Sequence, residues 1–215
     1  MNELIQTLAV YAIPVIFAIT LHESAHAYVA RYFGDDTAFA RGRLSLNPMK
    51  HIDPVGTILL PALLYWGSKG TFAFGYAKPV PVDFGALRNP KNNMIWVALA
   101  GPVSNFVMAF GWMCFLYVLA VMHVEQAFFI RMASAGVQIN IVMFALNLFP
   151  MLPLDGGRIL TGLLPIKQAI QFSKFEPYGF FIVLALLYME IIDRYWLTPI
   201  SEMTLNFFQL FFSFK

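Results

Sequence analysis

Thr20-Leu21-His22-Glu23-Ser24-Ala25-His26-Ala27 closes an apolar run that has no charged residue from Leu4 to Leu21. An uncharged run of this length has the dimensions of a bilayer-crossing helix. On a helix, His22 and His26 lie four apart on one face, so both imidazoles can reach one metal ion. Glu23 stands beside the first of them, placed to take a proton from water activated there. The H-E-x-x-H pattern is short and also occurs in unrelated helices. Here its three ionisable side chains end a membrane-grade run, where ionisable groups are costly and by default functional. The plainer alternative is a helix end whose polar residues face lipid headgroups.

The composition agrees with a membrane setting. Of 215 residues, 59% are hydrophobic and 12% charged, against about 25% charged in a soluble domain. The length leaves no room for a separate soluble domain of ordinary size, so residues 1–215 are expected to form a single integral-membrane domain. A formal net charge of +2 gives no footing for nucleic-acid binding. The single cysteine, Cys114, sits in an apolar segment and reads as a small buried residue. The apolar start lacks a basic leader and runs straight into the histidines, so no cleavable signal peptide is expected.

Outward from the motif, residues 4–33 are expected as one helix, kinked at Pro14 and ended by Gly34. Residues 37–46 alternate and read as one or two strands. Residues 55–66 are apolar but too short to cross upright, and read as re-entrant. Residues 72–82, restricted by Pro79 and Pro81, read as an extended edge. The stretch 37–92 thus holds strands and a re-entrant segment. Residues 94–122 are a long apolar helix, 124–134 a loop, and 135–153 a span leading into Leu154-Asp155-Gly156-Gly157-Arg158. Two further spans are expected within 176–214, at 178–192 and 197–214. The fold class is therefore a membrane all-α bundle of about five to six transmembrane helices, with a small membrane-associated β-sheet and re-entrant region near the active site.

The basic residues set an orientation. Arg31, Arg41, Arg43, Lys50, Lys69, Lys78, Arg88 and Lys91 share one side if 55–66 is re-entrant. Arg158, Lys167, Lys174 and Lys215 return to that side, leaving Arg131 and Arg194 outside it. The positive-inside rule makes that side cytoplasmic and brings both the histidine pair and Asp155 to the cytoplasmic face.

A catalytic zinc keeps three protein ligands and an open position. His51 lies in a loop and His123 at the far end of a span, which leaves Asp155 as the third ligand at matching depth. The competing use of Asp155 is as the N-cap of a helix beginning near Gly156. Asn105 and Asn147 are carboxamides in apolar spans, equally suited to binding an oxyanion or substrate backbone and to bonding between helices. His51 and Asp53 read as a loop-fixing pair, and Arg158 as a partner for a carboxylate or a headgroup.

Three motifs together resemble the site-2 proteases, the zinc-dependent intramembrane peptidases of family M50. They are His22-Glu23-Ser24-Ala25-His26, Ala100-Gly101-Pro102-Val103-Ser104-Asn105, and Asn147-Leu148-Phe149-Pro150-Met151-Leu152-Pro153-Leu154-Asp155-Gly156-Gly157-Arg158. Arg43-Leu44-Ser45-Leu46-Asn47-Pro48 and Gly75-Tyr76-Ala77-Lys78-Pro79-Val80-Pro81-Val82 are similar to compact bacterial members without PDZ or CBS domains. The resemblance implies one zinc per chain on His22, His26 and Asp155, Glu23 as general base, and Asn147 as the family's asparagine upstream of the aspartate. It implies a bacterial inner-membrane protein whose partners are the lipid bilayer and a single-pass membrane protein as substrate. Tyr76, Lys78 and Val80 would lie on an edge that pairs with the unwound substrate. The competing readings are a catalytically silent scaffold of the same fold, which the intact Glu23 disfavours, and a metal-ion transporter, for which no inverted repeat is visible.

Overall fold

The computed structural model describes residues 2–67 and 78–212. Helix α1 (Asn2–Tyr32) is continuous through Pro14, which is fully buried. It ends where Gly34 takes φ +106°, a conformation that costs glycine no Cβ clash. The Asp35 N–H then reaches back to the Ala30 carbonyl at 3.0 Å, closing the last turn.

The strands expected at 37–46 do not form. Thr37–Ala40 is a short helix, α2, followed by irregular chain. Asp35 explains the change: its Oδ1 accepts the Thr37 N–H at 2.9 Å, and its Oδ2 accepts the Asp83 N–H at 2.8 Å. The carboxylate starts a helical turn with one oxygen and ties down a distant loop with the other. Among the described residues there is no strand at all, so loops stand where a small sheet was expected. Asp53 opens the next segment by accepting the Val55 and Gly56 N–H groups at 3.0 and 2.7 Å. A π-helical turn, Pro54–Leu59, continues into α3 (Leu60–Gly67). This pair is apolar and short of a full crossing, as a re-entrant segment would be. Of the expected edge at 72–82, residues 72–77, including Tyr76, lie outside the described residues; 78–83 form no regular element.

Two helices among the described residues are long and apolar enough to cross a membrane: α4 (Pro90–Val121) and α5 (Ala127–Asn147). Pro90 sits in the first turn of α4, where its missing N–H costs nothing. Helix α5 takes in most of the expected loop at 124–134, including Arg131. After α6 (Asp155–Leu163), helices α7 (Ile166–Ser173) and α8 (Glu176–Tyr188) make a third span only if counted together across a 67° bend. Among the described residues no helix fills the expected fifth span, since α9 (Thr198–Gln209) has only 12 residues. Its Phe208 is fully buried, with ring centroids 5.3 Å from Phe106 and 5.4 Å from Phe110. Among the described residues the candidate spans thus number two or three, short of the five or six expected.

Helix α4 packs against α1, α5 and α6, and α1 also meets α5. Small residues recur among the buried positions: Ala18 and Ala30 on α1, Ala98, Gly101 and Ala109 on α4, and Ala133, Ala135 and Gly136 on α5. Small residues let helix backbones approach closely where lipid offers no hydrophobic drive to associate. The result is a tight three-helix core with α6 set against its centre.

Candidate metal centre

The site forms where α1, α4 and α6 meet. His22 and His26 share a face of α1, as their spacing requires, with their Nε2 atoms 3.1 Å apart. Asp155 Oδ2 lies 3.2 Å from His22 Nε2 and 3.3 Å from His26 Nε2. Asp155 opens α6 but does not cap it: the N-cap is Leu154, and no side chain makes a capping bond there. Its Oδ2 is buried without an ordinary hydrogen-bond partner. Burial pushes the Asp155 carboxyl up, but the His26 and His22 imidazoles outweigh it and hold the group well below the usual carboxylate range.

Three donor atoms of the right chemistry therefore converge. A tetrahedral ion with ligand bonds of about 2.0–2.1 Å separates its donors by roughly 3.3–3.4 Å. The observed 3.1–3.3 Å separations fit such an ion without rearrangement.

Glycines make the approach possible. A Cβ on Gly101 would lie 2.3 Å from His26 Nε2 and 2.6 Å from His22 Nε2. A Cβ on Gly156 would meet the Leu148 carbonyl oxygen at 2.3 Å, and one on Gly157 the Leu152 nitrogen at 2.3 Å. Gly101 brings the α4 backbone onto the imidazoles, and Gly156-Gly157 fold α6 back on the turn that follows α5.

The far nitrogens of both histidines are held. His26 Nδ1 is 2.7 Å from the Val97 carbonyl, and His22 Nδ1 is 2.6 Å from Asn105 Oδ1. Asn105 is fully buried and its Nδ2 also donates to Asn140 Oδ1 at 3.0 Å. The structure thus places Asn105 behind His22 and not at an open face. Asn147 donates to the Met143 carbonyl of its own helix at 3.0 Å.

Glu23 Oε2 accepts the Val80 N–H at 2.7 Å. The strap that carries Val80 is pinned at several points. The Lys78 N–H donates to the His51 carbonyl at 3.0 Å, and Arg43 Nη2 donates to the Lys78 carbonyl at 2.9 Å. The Ser45 carbonyl accepts from both Ser24 Oγ and His51 Nε2, at 2.8 and 2.7 Å, and fixes this loop to α1. His51 and Asp53 each order the loop, by separate bonds. Arg158 pairs with the Glu176 carboxylate and ties α6 to α8.

Asn140 and the Val97 carbonyl escape the sequence reading as parts of this site, and Gly101 enters it only as a member of the Ala100–Asn105 motif, without a role. Asn140 carried a signal, a polar amide in an apolar span that must find a partner; Gly101 and Val97 act through backbone position alone.

Residues 119–189 match the model for peptidase family M50. The chain is 40% identical over 195 residues to "Putative zinc metalloprotease YwhC" of Bacillus subtilis (strain 168), covering 87% of this chain and 83% of that one. It is 30% identical over 186 residues to "Putative zinc metalloprotease Rip2" of Mycolicibacterium smegmatis (strain ATCC 700084 / mc(2)155), covering 84% and 67%. No solved structure matches significantly. The chain belongs to peptidase family M50.

Proposed function

We propose that the protein is an intramembrane zinc metalloprotease that hydrolyses peptide bonds of membrane-spanning proteins, in the manner of regulated intramembrane proteolysis. The observation that carries this reading is the convergence of His22 Nε2, His26 Nε2 and Asp155 Oδ2 beside Glu23 at the end of an apolar helix. The three would hold the zinc. Zinc so held supplies Lewis-acid polarisation of the scissile carbonyl and acidifies water to a pKa of about 7. Glu23 takes the proton of the hydrolytic water at a carboxylate oxygen and passes it to the leaving amine. Its bond to the Val80 N–H occupies Oε2 and fixes the carboxylate's direction. Membrane proteomics of a strain carrying Glu23→Gln tests the function. Single-span proteins should accumulate uncut; an unchanged membrane proteome would count against a membrane-spanning substrate.

Gly101→Ala should empty the site. The added methyl overlaps both Nε2 atoms, so zinc affinity should fall by at least about tenfold. Zinc titration of the purified variant measures it, and wild-type affinity would mean that the imidazoles bind elsewhere.

The substrate is proposed to lie along residues 76–80, with Tyr76, Lys78 and Val80 beside it and Asn147 on the opposite approach. The contact of the Val80 N–H with Glu23 supports this. Crosslinkers at Tyr76, Lys78 and Val80 should capture substrate in a Glu23→Gln background. Capture only from positions near Asn147 would move the entry route to the other face. The distribution of lysine and arginine further supports a site at the cytoplasmic face of the bacterial inner membrane. A reporter fusion at Gly67 should read cytoplasmic; an external signal there would make 54–67 a true span.

A further inference from the structure

Asn140 on α5 touches neither histidine, yet its hydrogen bonds determine what His22 offers a metal. Asn140 and Asn105 are both fully buried. Asn140 Nδ2 donates to the Gly136 carbonyl at 2.8 Å. A carbonyl only accepts, so the amide nitrogen must face it, and Asn140 Oδ1 must face α4. That oxygen takes the Asn105 Nδ2 proton at 3.0 Å, with the Ala18 carbonyl accepting a second at 3.3 Å. Asn105 is thereby compelled to present Oδ1 to His22 Nδ1 at 2.6 Å. An amide oxygen is an acceptor only, so Nδ1 must carry the hydrogen. In the neutral ring this leaves the lone pair on Nε2, the atom that faces Asp155 Oδ2 and His26 Nε2.

We propose that Asn105 and Asn140 are positioning residues that lock the metal-binding tautomer of His22 through a relay beginning at the Gly136 carbonyl. This rests on the zinc reading above. The two ligands differ in how they are held. His26 is fixed by the Val97 backbone carbonyl, which no side-chain substitution removes. His22 depends on two side chains from two other helices. Helix α5 thus controls the site without contributing a ligand to it.

Three variants at Asn140 separate the lock from simple helix packing. Asn140→Leu removes the acceptor at nearly constant volume, and Asn140→Ala removes it without added bulk. Asn140→Asp, kept protonated by burial, still donates to Gly136 and accepts from Asn105. Leu and Ala should weaken zinc binding by about 10–100-fold, the usual effect of losing a ligand's outer hydrogen bond. Asp should stay within about threefold of wild type, since the relay survives. In metal-free protein with ¹⁵N-labelled histidine, His22 should be protonated on Nδ1 in wild type and Asn140→Asp. In Asn140→Leu and Asn140→Ala it should show a mixture of tautomers. Wild-type zinc affinity together with an unchanged His22 tautomer in both Leu and Ala variants would overturn the lock. His22→Ala serves as the separate control. If that variant keeps its zinc, the metal reading fails, whatever the Asn140 variants do.

Discussion

Glu23→Gln should keep its full zinc content and lose cleavage by about 10²–10⁴-fold, the usual contribution of a positioned acid–base group. The substitution is nearly isosteric. The amide oxygen can still accept the Val80 N–H that Glu23 Oε2 takes at 2.7 Å, so the strap keeps its anchor. His22, His26 and Asp155 are untouched. What disappears is a group able to take a proton and give it back. Cleavage of a single-span substrate by the purified variant in liposomes, alongside elemental analysis, measures both parts. Turnover within tenfold of wild type would remove Glu23 from the chemistry. Loss of zinc would make it a ligand.

Asp155→Ala should lose both the metal and the activity while keeping the fold. Two imidazoles alone leave a zinc site one ligand short, and affinity should drop by more than about a hundredfold. The fold should persist for a reason visible in α6. Leu154 occupies the N-cap, and Asp155 makes no capping bond, so its removal deprives the helix of no backbone partner. Its Oδ2 has no ordinary hydrogen bond to lose. Thermal unfolding of the metal-free variant should therefore match metal-free wild type to within a few degrees. A large fall in the metal-free melting temperature would show that Asp155 is structural first.

The histidine pair was legible in the sequence because it rests on local spacing: His22 and His26 share a face by helical period alone. Asp155, which the structure brings to them, was legible only as the aspartate after a proline-broken apolar span. The scaffold around them was less legible. The alternation at 37–46 looked like strand, but strands need a partner, and Asp35 turned the chain into a helical turn instead. The apolar residues at 178–192 and 197–214 have the composition of spans, yet α8 ends at Tyr188 after 13 residues, bent 67° from α7 before it, and the final helix has 12. Composition reports what a segment tolerates, not where the chain bends. Gly101 and Asn140 matter through contacts between helices distant in sequence: Gly101 against the imidazoles, Asn140 against Asn105. No local pattern encodes those approaches. Asn105 showed the same limit in another form. Its position in an apolar span marked it as important, but only its bonds to His22 and Asn140 show that it faces the site from behind.

Zinc stoichiometry by elemental analysis, in wild type and in the His22→Ala/His26→Ala double variant, tests the central claim most directly. Wild type should carry one zinc per chain and the double variant none, with both proteins folded. Full zinc occupancy in the double variant would contradict it.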